Sequence, residues 1–121
     1  MSSSVLICDD SNLARKQVLR SLPESLSSTA QLATNGEEAL ELLSQQNFDL
    51  LFLDLTMPVV DGIGVLEGIK AAELSVNVFV ISADVQPEMQ SKVMQLGAKA
   101  FLRKPVQKEL LHHHLNEYGL L

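Results

Sequence analysis

Three aspartates and one lysine are the side chains of this sequence with the clearest potential for chemistry. Asp9 and Asp10 follow directly on the first apolar run of the chain, and Asp54 follows directly on a second run. Lys104 comes shortly after a later one. Short apolar runs bounded by turn residues are typical of strands that are buried on both faces. Because ligands bind just beyond the carboxyl ends of the strands in a parallel α/β sheet, we expect these side chains to gather at one sheet edge.

The predicted cluster favours one kind of chemistry. Neighbouring carboxylates repel one another, and without compensation at least one of them would keep its proton. Lys104 can offset part of this repulsion, and a hard divalent cation can offset the rest. Oxygen ligands without His or Cys favour magnesium or calcium over zinc. Magnesium usually combines a few carboxylates with waters and phosphate oxygens, so this set of residues indicates phosphoryl chemistry.

In such a site a carboxylate can accept the phosphoryl group and form an acyl phosphate. The metal ion and the lysine would neutralise the oxygens of the group in transfer. The hydroxyl of Ser82, at the end of another apolar run, would donate one more hydrogen bond. Little else is needed, because this chemistry depends mainly on positioning and charge neutralisation.

The elements that must hold these residues alternate along the chain. Strands are predicted over about residues 5–8, 29–33, 49–54, 78–82 and 99–102. Helices are predicted over about 11–22, 35–46, 63–72, 87–96 and 107–118, and a polar loop over 23–28. Strict alternation of strand and helix implies an α/β fold, a single doubly wound (βα)5 domain with a five-stranded parallel sheet and helices on both faces.

Helical periodicity predicts which apolar side chains face the core. The inward-facing set is Leu13, Val18, Leu22, Leu66, Ile69, Met89, Val93, Leu96, Leu110, Leu111, Leu115 and Tyr118. Cys8 lies within an apolar run and is interpreted as a small buried hydrophobe. The run His112–His114 is interpreted as a solvated helix face, because consecutive helical residues point in different directions and cannot converge on one metal ion.

Length and composition narrow the class of protein. At 121 residues we expect one domain over 1–121, with no linker or output domain in the chain. A single cysteine and no signal-type N-terminus favour a cytoplasmic location. No apolar stretch approaches the roughly 20 residues of a membrane span, so no membrane partner is expected. The formal net charge of −6 argues against direct nucleic-acid binding by bulk charge.

These motifs together resemble those of response-regulator receiver domains, the CheY-like, flavodoxin-like phosphoacceptor modules of two-component signalling. The resemblance covers about residues 5–118. Five short motifs carry it, in the order Asp9-Asp10, Asn35-Gly36-Glu37-Glu38-Ala39-Leu40, Asp54 with Met57-Pro58 and Asp61-Gly62, Ser82-Ala83, and Lys104-Pro105. Each dipeptide alone is weak, but the full set in this order, at the ends of the predicted strands, is specific.

The resemblance implies a role for each residue of the cluster. Asp54 resembles the phosphorylated aspartate. Asp9 and Asp10 match the acidic pair that binds Mg²⁺, with Asp54 and the backbone carbonyl of Thr56 completing the protein ligands. Lys104 matches the lysine that contacts the phosphoryl group, and in this family it is often joined by a cis bond to the proline that follows.

The resemblance also implies a conformational switch. Ser82 and Phe101 fall at the hydroxyl and aromatic switch positions, and Thr56 and Asp84 at positions that tune the lifetime of the phosphoryl group. The surface expected to change is the fourth predicted helix, the fifth strand and the fifth helix. The implied donor is a sensor histidine kinase or a histidine phosphotransfer protein, and the implied receiver of the signal is a target protein or a missing output domain.

Two other functions stay open on the sequence alone. One is a receiver-like module that binds a partner constitutively, which would predict a missing acceptor, metal ligand or lysine. The other is an aspartate-nucleophile phosphatase, a class that typically has a second aspartate two residues after the nucleophile, where this chain has Thr56. The resemblance favours the signalling switch and predicts no enzymatic activity beyond self-phosphorylation and self-dephosphorylation.

Overall fold

The computed structural model describes residues 4–120. Five parallel strands form one sheet in the order β2-β1-β3-β4-β5. The strands are β1 (Val5–Cys8), β2 (Gln31–Ala33), β3 (Leu50–Leu53), β4 (Asn77–Ser82) and β5 (Ala100–Arg103). The helices are α1 (Asn12–Ser21), α2 (Glu24–Ser27), α3 (Gly36–Gln45), α4 (Gly62–Ala71), α5 (Pro87–Gln95) and α6 (Lys108–Glu117). The predicted flavodoxin-like α/β fold is confirmed.

Helices cover both faces of the sheet, which explains why the central strands are apolar throughout. All residues of β1 and β3 are buried. Alternate strand residues such as Leu6 and Leu51 pack with α3, α4 and α5 on one face. Their neighbours Val5 and Leu50 pack with α1 and α6 on the other face. Because helices exclude water from both faces, β1 and β3 carry no charged or amide side chain until they reach the carboxyl edge of the sheet.

Local sequence fixes where the helices begin. The side chain of Asn35 accepts a hydrogen bond from the Glu38 N–H at 2.9 Å and caps α3 as predicted. Asp61 caps α4 in the same way through the Gly64 N–H at 2.9 Å. Such caps satisfy backbone donors that have no partner within the helix. Within residues 4–120, no helix is long and apolar enough to cross a membrane.

Three of the side chains predicted to face the core are exposed instead. Leu13, Leu110 and Tyr118 have exposed fractions of 62%, 44% and 36%. Leu13 and Leu110 lie about 140° and 100° around their helices from the buried Val18 and Leu111, so the 3.6-residue period turns them away from the sheet. Tyr118 follows the last turn of α6, and its hydroxyl donates to the Lys99 carbonyl at 2.8 Å.

Most predicted elements agree with the structure to within one residue at each end, and the larger differences lie between residues 23 and 33. The segment predicted as a polar loop over 23–28 contains the short helix α2, whose Leu26 is buried. The second strand is shorter than predicted and begins at Gln31. A one-turn helix carries too few apolar positions to show a period, which is why the pattern in the sequence could not reveal it.

Candidate functional site

The register of the sheet places two predicted site residues side by side. Cys8 at the end of β1 aligns with Leu53 at the end of β3, so the residues that follow, Asp9 and Asp54, are neighbours. The Asp54 N–H donates to the Cys8 carbonyl at 3.0 Å, which continues the ladder by one step. Both aspartates are only 5% exposed. Carboxylates this buried need partners, because desolvating a charge is costly unless it is paired.

Asp10 and Lys104 complete the cluster. Ligand oxygens of Asp9, Asp10 and Asp54 all lie within 4.8 Å of one another. The Lys104 ammonium Nζ lies 2.9 Å from Oδ2 of Asp9 and 3.2 Å from Oδ1 of Asp54. The Lys104 backbone N–H donates to the Ser82 carbonyl at 2.9 Å, and its bond to the following proline is cis, as the resemblance implies. The structure thus brings together the four residues that the sequence analysis placed at one edge.

The ionisation of the cluster reflects a balance of burial and charge. Burial raises the pKa of the Asp54 carboxyl above its usual value, and the charge of Asp9 adds to the increase, while Lys104 and the backbone of Thr56 oppose it. Burial works to lower the pKa of the Lys104 ammonium, but its hydrogen bond to Asp9 and the charge of Asp54 outweigh burial and raise that pKa. The lysine therefore stays charged, and Asp54 holds its negative charge at a cost in free energy.

The donor set fits a hard divalent cation. Three carboxylates meet without a His or Cys ligand atom among them, which suits Mg²⁺ or Ca²⁺ rather than Zn²⁺. The nearby Cys8 does not change this, because burial raises the pKa of its thiol to about 12. Its Sγ lies 3.3 Å from the Asn35 carbonyl oxygen and 3.4 Å from Sδ of Met57. A protonated thiol held in this way is not a metal ligand.

The predicted switch and tuning residues lie on the segments that adjoin the cluster. Ser82 is 2% exposed, and its hydroxyl oxygen accepts a hydrogen bond from the Asp84 N–H at 3.0 Å. Asp84 in turn accepts from the Gln86 N–H at 3.1 Å. Phe101 is half-buried against the core on the α3, α4 and α5 face, and Thr56 is exposed. These positions permit the predicted roles, which stay predictions.

One arginine beside the cluster and two histidines on α6 differ from what the sequence indicated. Arg15 was not singled out, although its guanidinium Nη1 donates to the Asp9 carbonyl. The sequence holds no signal for this contact, because its acceptor is a main-chain oxygen. Of the three histidines, His113 is solvated as predicted, whereas His112 bonds to the Ser21 carbonyl and His114 packs against the Phe79 ring, so the interpretation of one solvated face is wrong for these two.

A parallel sheet of order β2-β1-β3-β4-β5, with an acidic cluster and a lysine at its carboxyl edge, is the arrangement of CheY-like proteins. The sequence model of the response regulator receiver domain family matches residues 5–116. The chain therefore belongs to this family, the receiver domains of two-component signalling.

Similar proteins agree with this assignment. The chain is 33% identical over 108 residues to a chemotaxis protein CheY of Halobacterium salinarum, covering 89% of each chain. It is 32% identical over 117 residues to a chemotaxis protein CheY of Bacillus subtilis, covering 97% of this chain and 98% of that protein. A chain in the crystal structure of a CheX–CheY–BeF₃–Mg²⁺ complex from Borrelia burgdorferi superposes with a TM-score of 0.86 at 28% identity, covering 98% of this chain and 90% of that chain.

Proposed function

We propose that this domain is a phosphorylation-dependent switch that accepts a phosphoryl group on Asp54 and then changes the surface it presents to a partner. One observation carries the proposal: a buried carboxylate at a strand end lies 3.2 Å from an ammonium and within a cluster of two further carboxylates. This set of groups suits transfer of a doubly charged phosphoryl group better than any other chemistry at this edge, because positioning and charge neutralisation are what that transfer requires.

In the transfer step, an oxygen of Asp54 attacks the phosphorus of a phosphohistidine on a sensor kinase or a histidine phosphotransfer protein. The O–P bond forms as the P–N bond breaks, and the imidazole leaves with the electron pair. Lys104, which already contacts Oδ1 of Asp54, lies close enough to offset the charge of the phosphoryl oxygens. Asp9 and Asp10, with Asp54 and the carbonyl of Thr56, would hold Mg²⁺, which supplies further positive charge to those oxygens.

The response begins at Ser82. Its hydroxyl oxygen is bonded to the Asp84 N–H at 3.0 Å, so a movement of the hydroxyl toward a phosphoryl group on Asp54 breaks this bond and releases the β4–α5 loop. Phe101 on β5 is half-buried and can turn into space that Ser82 vacates. The segments that follow these residues are α5, β5 and α6, and they form the surface proposed to contact a target or an output domain. The structural neighbour in complex with CheX supports a protein as the partner.

The decisive experiment is intact-mass spectrometry after incubation with Mg²⁺ and acetyl phosphate. The parent should gain the mass of one phosphoryl group, and Asp54→Ala should gain none. Asp61→Ala is the matched control, because Asp61 lies in the same loop region but caps α4 instead of joining the cluster. Phosphorylation of Asp54→Ala to the level of the parent would show that Asp54 is not the acceptor.

A further inference from the structure

Arg15 turns back from α1 onto the loop that carries the acidic pair. Its Nη1 donates to the Asp9 carbonyl oxygen at 2.5 Å, and its Nη2 donates to Oδ1 of Asn12 at 3.4 Å. The Arg15 backbone N–H donates to the Ser11 carbonyl at 3.1 Å, which fixes the base of the side chain. The guanidinium is half-buried, and within residues 4–120 it forms no ion pair with a carboxylate. Its hydrogen bonds are therefore directed at the Asp9 carbonyl and at the first residue of α1, and not at an acidic side chain.

The other polar groups of Asp9 are held as well. Its N–H donates to the Ala33 carbonyl at 3.1 Å. Its Oδ1 accepts from the Ser11 N–H at 2.9 Å, and its Oδ2 contacts Lys104. The Asp9 carbonyl belongs to the peptide unit that joins Asp9 to Asp10, so the contact with Arg15 sets the plane from which the Asp10 side chain projects.

Asp10 depends on this plane more than Asp9 does. Asp10 is exposed, and in the described part of the chain its carboxylate has no hydrogen-bond or ion-pair partner that would orient it. Its oxygen nevertheless lies within 4.8 Å of ligand oxygens of Asp9 and Asp54. Backbone geometry alone must therefore direct this carboxylate, and the guanidinium of Arg15 is the side-chain group that contacts that backbone unit.

We infer that Arg15 is a positioning residue for the divalent cation: it fixes the Asp9–Asp10 peptide unit and so directs the Asp10 carboxylate toward the metal site. The inference rests on the proposed role of this cluster in binding Mg²⁺. The direction of the change in Mg²⁺ affinity on substitution of Arg15 distinguishes this role from a simple effect of charge. A cation near three carboxylates repels Mg²⁺, so loss of the Arg15 charge alone would tighten metal binding, whereas loss of its hydrogen bonds loosens it.

The test is a calorimetric titration of the full chain with Mg²⁺ alone, comparing the parent with Arg15→Gln, Arg15→Lys and Arg20→Gln. Arg20 is the matched control, because it is exposed in the last turn of the same helix. Arg15→Gln should weaken Mg²⁺ binding about tenfold, as loss of a group that orients a metal ligand commonly does. Arg15→Lys should weaken it to a similar extent, because a lysine lacks the planar fork that reaches both acceptors. Arg20→Gln should bind as the parent does.

Thermal unfolding of each variant separates positioning from a general structural role. A lowered melting temperature with an unchanged Mg²⁺ dissociation constant would overturn the inference, and so would tighter binding in Arg15→Gln. Asp10→Asn, measured in the same series, identifies the origin of a failure. If Asp10→Asn abolishes binding while the Arg15 variants bind normally, the inference alone is wrong. If the parent binds no Mg²⁺ in this titration, the metal site itself and the inference are both overturned.

Discussion

The ammonium of Lys104 lies 3.2 Å from Oδ1 of Asp54, and the same nitrogen lies 2.9 Å from Asp9. One cation thus serves two carboxylates that are each 5% exposed. The pKa values of Lys104 and Asp54 are both raised. The increase keeps the Lys104 ammonium charged, whereas it makes ionisation of the Asp54 carboxyl less favourable. A site arranged in this way keeps the Asp54 carboxylate ionised at a cost in free energy, and added positive charge would reduce that cost.

Asp54→Asn should stabilise the domain at neutral pH. Because the folded-state pKa of Asp54 is above its usual value of 3.8, the unfolded chain ionises first, and stability is lost as pH rises from about 3.8 through the folded pKa. The variant should be more stable than the parent near pH 7 and equally stable at a pH where the Asp54 carboxyl is protonated in both the folded and the unfolded state. Urea unfolding at several pH values measures this difference. Asp61→Asn, which keeps its helix cap, should match the parent, and a destabilised Asp54→Asn would contradict the prediction.

Lys104→Met should have the opposite effect. Its side chain is 26% exposed, and methionine keeps much of the length while leaving two buried carboxylates without their cation. We expect a loss of about 2–3 kcal/mol near pH 7, below the range for fully buried pairs because this site is partly solvated. The loss should shrink at acidic pH as the carboxylates take up protons. Since the lysine pKa is raised, the parent keeps this contribution up to its ordinary value of 10.5 and loses it as pH rises through the folded pKa.

Urea unfolding of Lys104→Met is compared with that of Lys16→Met, an exposed lysine on α1. Equal stability of the two variants near pH 7 would show that the Lys104 contacts contribute no more than a surface charge.

The site was predictable from the sequence because each residue of the cluster lies within two residues of the end of an apolar run. Asp9 and Asp54 end up adjacent through strand register, and the parallel order of strands follows from the alternation with helices. What could not be predicted depends on how chains pack in three dimensions. Leu13 and Leu110 are apolar residues of helices, and the sequence does not show which apolar residues of a helix pack on the sheet. Their exposure follows only once Val18 and Leu111 are known to be buried.

Hydrogen bonds between side chains and backbone groups could not be predicted from the sequence either. The contact of Arg15 with the Asp9 carbonyl joins a long side chain to a main-chain oxygen that every residue possesses, so residue types give no hint of it. The bond between the Ser82 hydroxyl and the Asp84 N–H is of the same kind. Residue types therefore predicted the ionic cluster, whereas the hydrogen bonds that orient the loops around it are visible only in the folded structure.

Val59→Asn should stabilise the loop after β3. Val59 has a φ of 69°, and the Val60 N–H donates to the Pro58 carbonyl at 2.8 Å, which closes a three-residue turn of the rarer hand. A β-branched residue rarely adopts this conformation, and the side chain is 73% exposed, so little burial offsets the strain. Asparagine has no branch at Cβ and therefore clashes less with the backbone at positive φ, so we expect a gain in the free energy of unfolding of about 1 kcal/mol. Chemical unfolding measures it.

Glu73, with a φ of 55°, provides an independent check of the same effect. Glu73 follows α4. The substitution Glu73→Gly should also stabilise the domain, because glycine readily adopts the left-handed conformation found after helix ends. Val85→Asn is the control, because it replaces a valine whose φ is not positive, and this variant should be no more stable than the parent. A Val59→Asn variant no more stable than the parent would show that the turn carries no appreciable strain.

Cys8 should be almost inert to thiol reagents while the domain is folded. It is 1% exposed, and burial raises the pKa of its thiol to about 12, against 9.0 for an unperturbed cysteine. The thiolate is the reactive form, so near pH 8 the folded protein should react about a thousandfold more slowly than the unfolded chain, with the deficit shrinking as pH rises above about 9. The measurement is the rate of labelling followed by mass spectrometry, with and without urea.

An exposed thiol calibrates this rate. Ser91 is exposed on α5, and Ser91→Cys in a Cys8→Ala background should label rapidly in the folded state. If Cys8 reacts only through unfolding, then Mg²⁺ bound at the neighbouring acidic cluster should slow its labelling further, because a ligand that binds only the native state lowers the unfolded population. Labelling of Cys8 at the rate of the Ser91→Cys thiol would mean that β1 opens to solvent without unfolding, and that the end of the strand carrying Asp9 is not rigid.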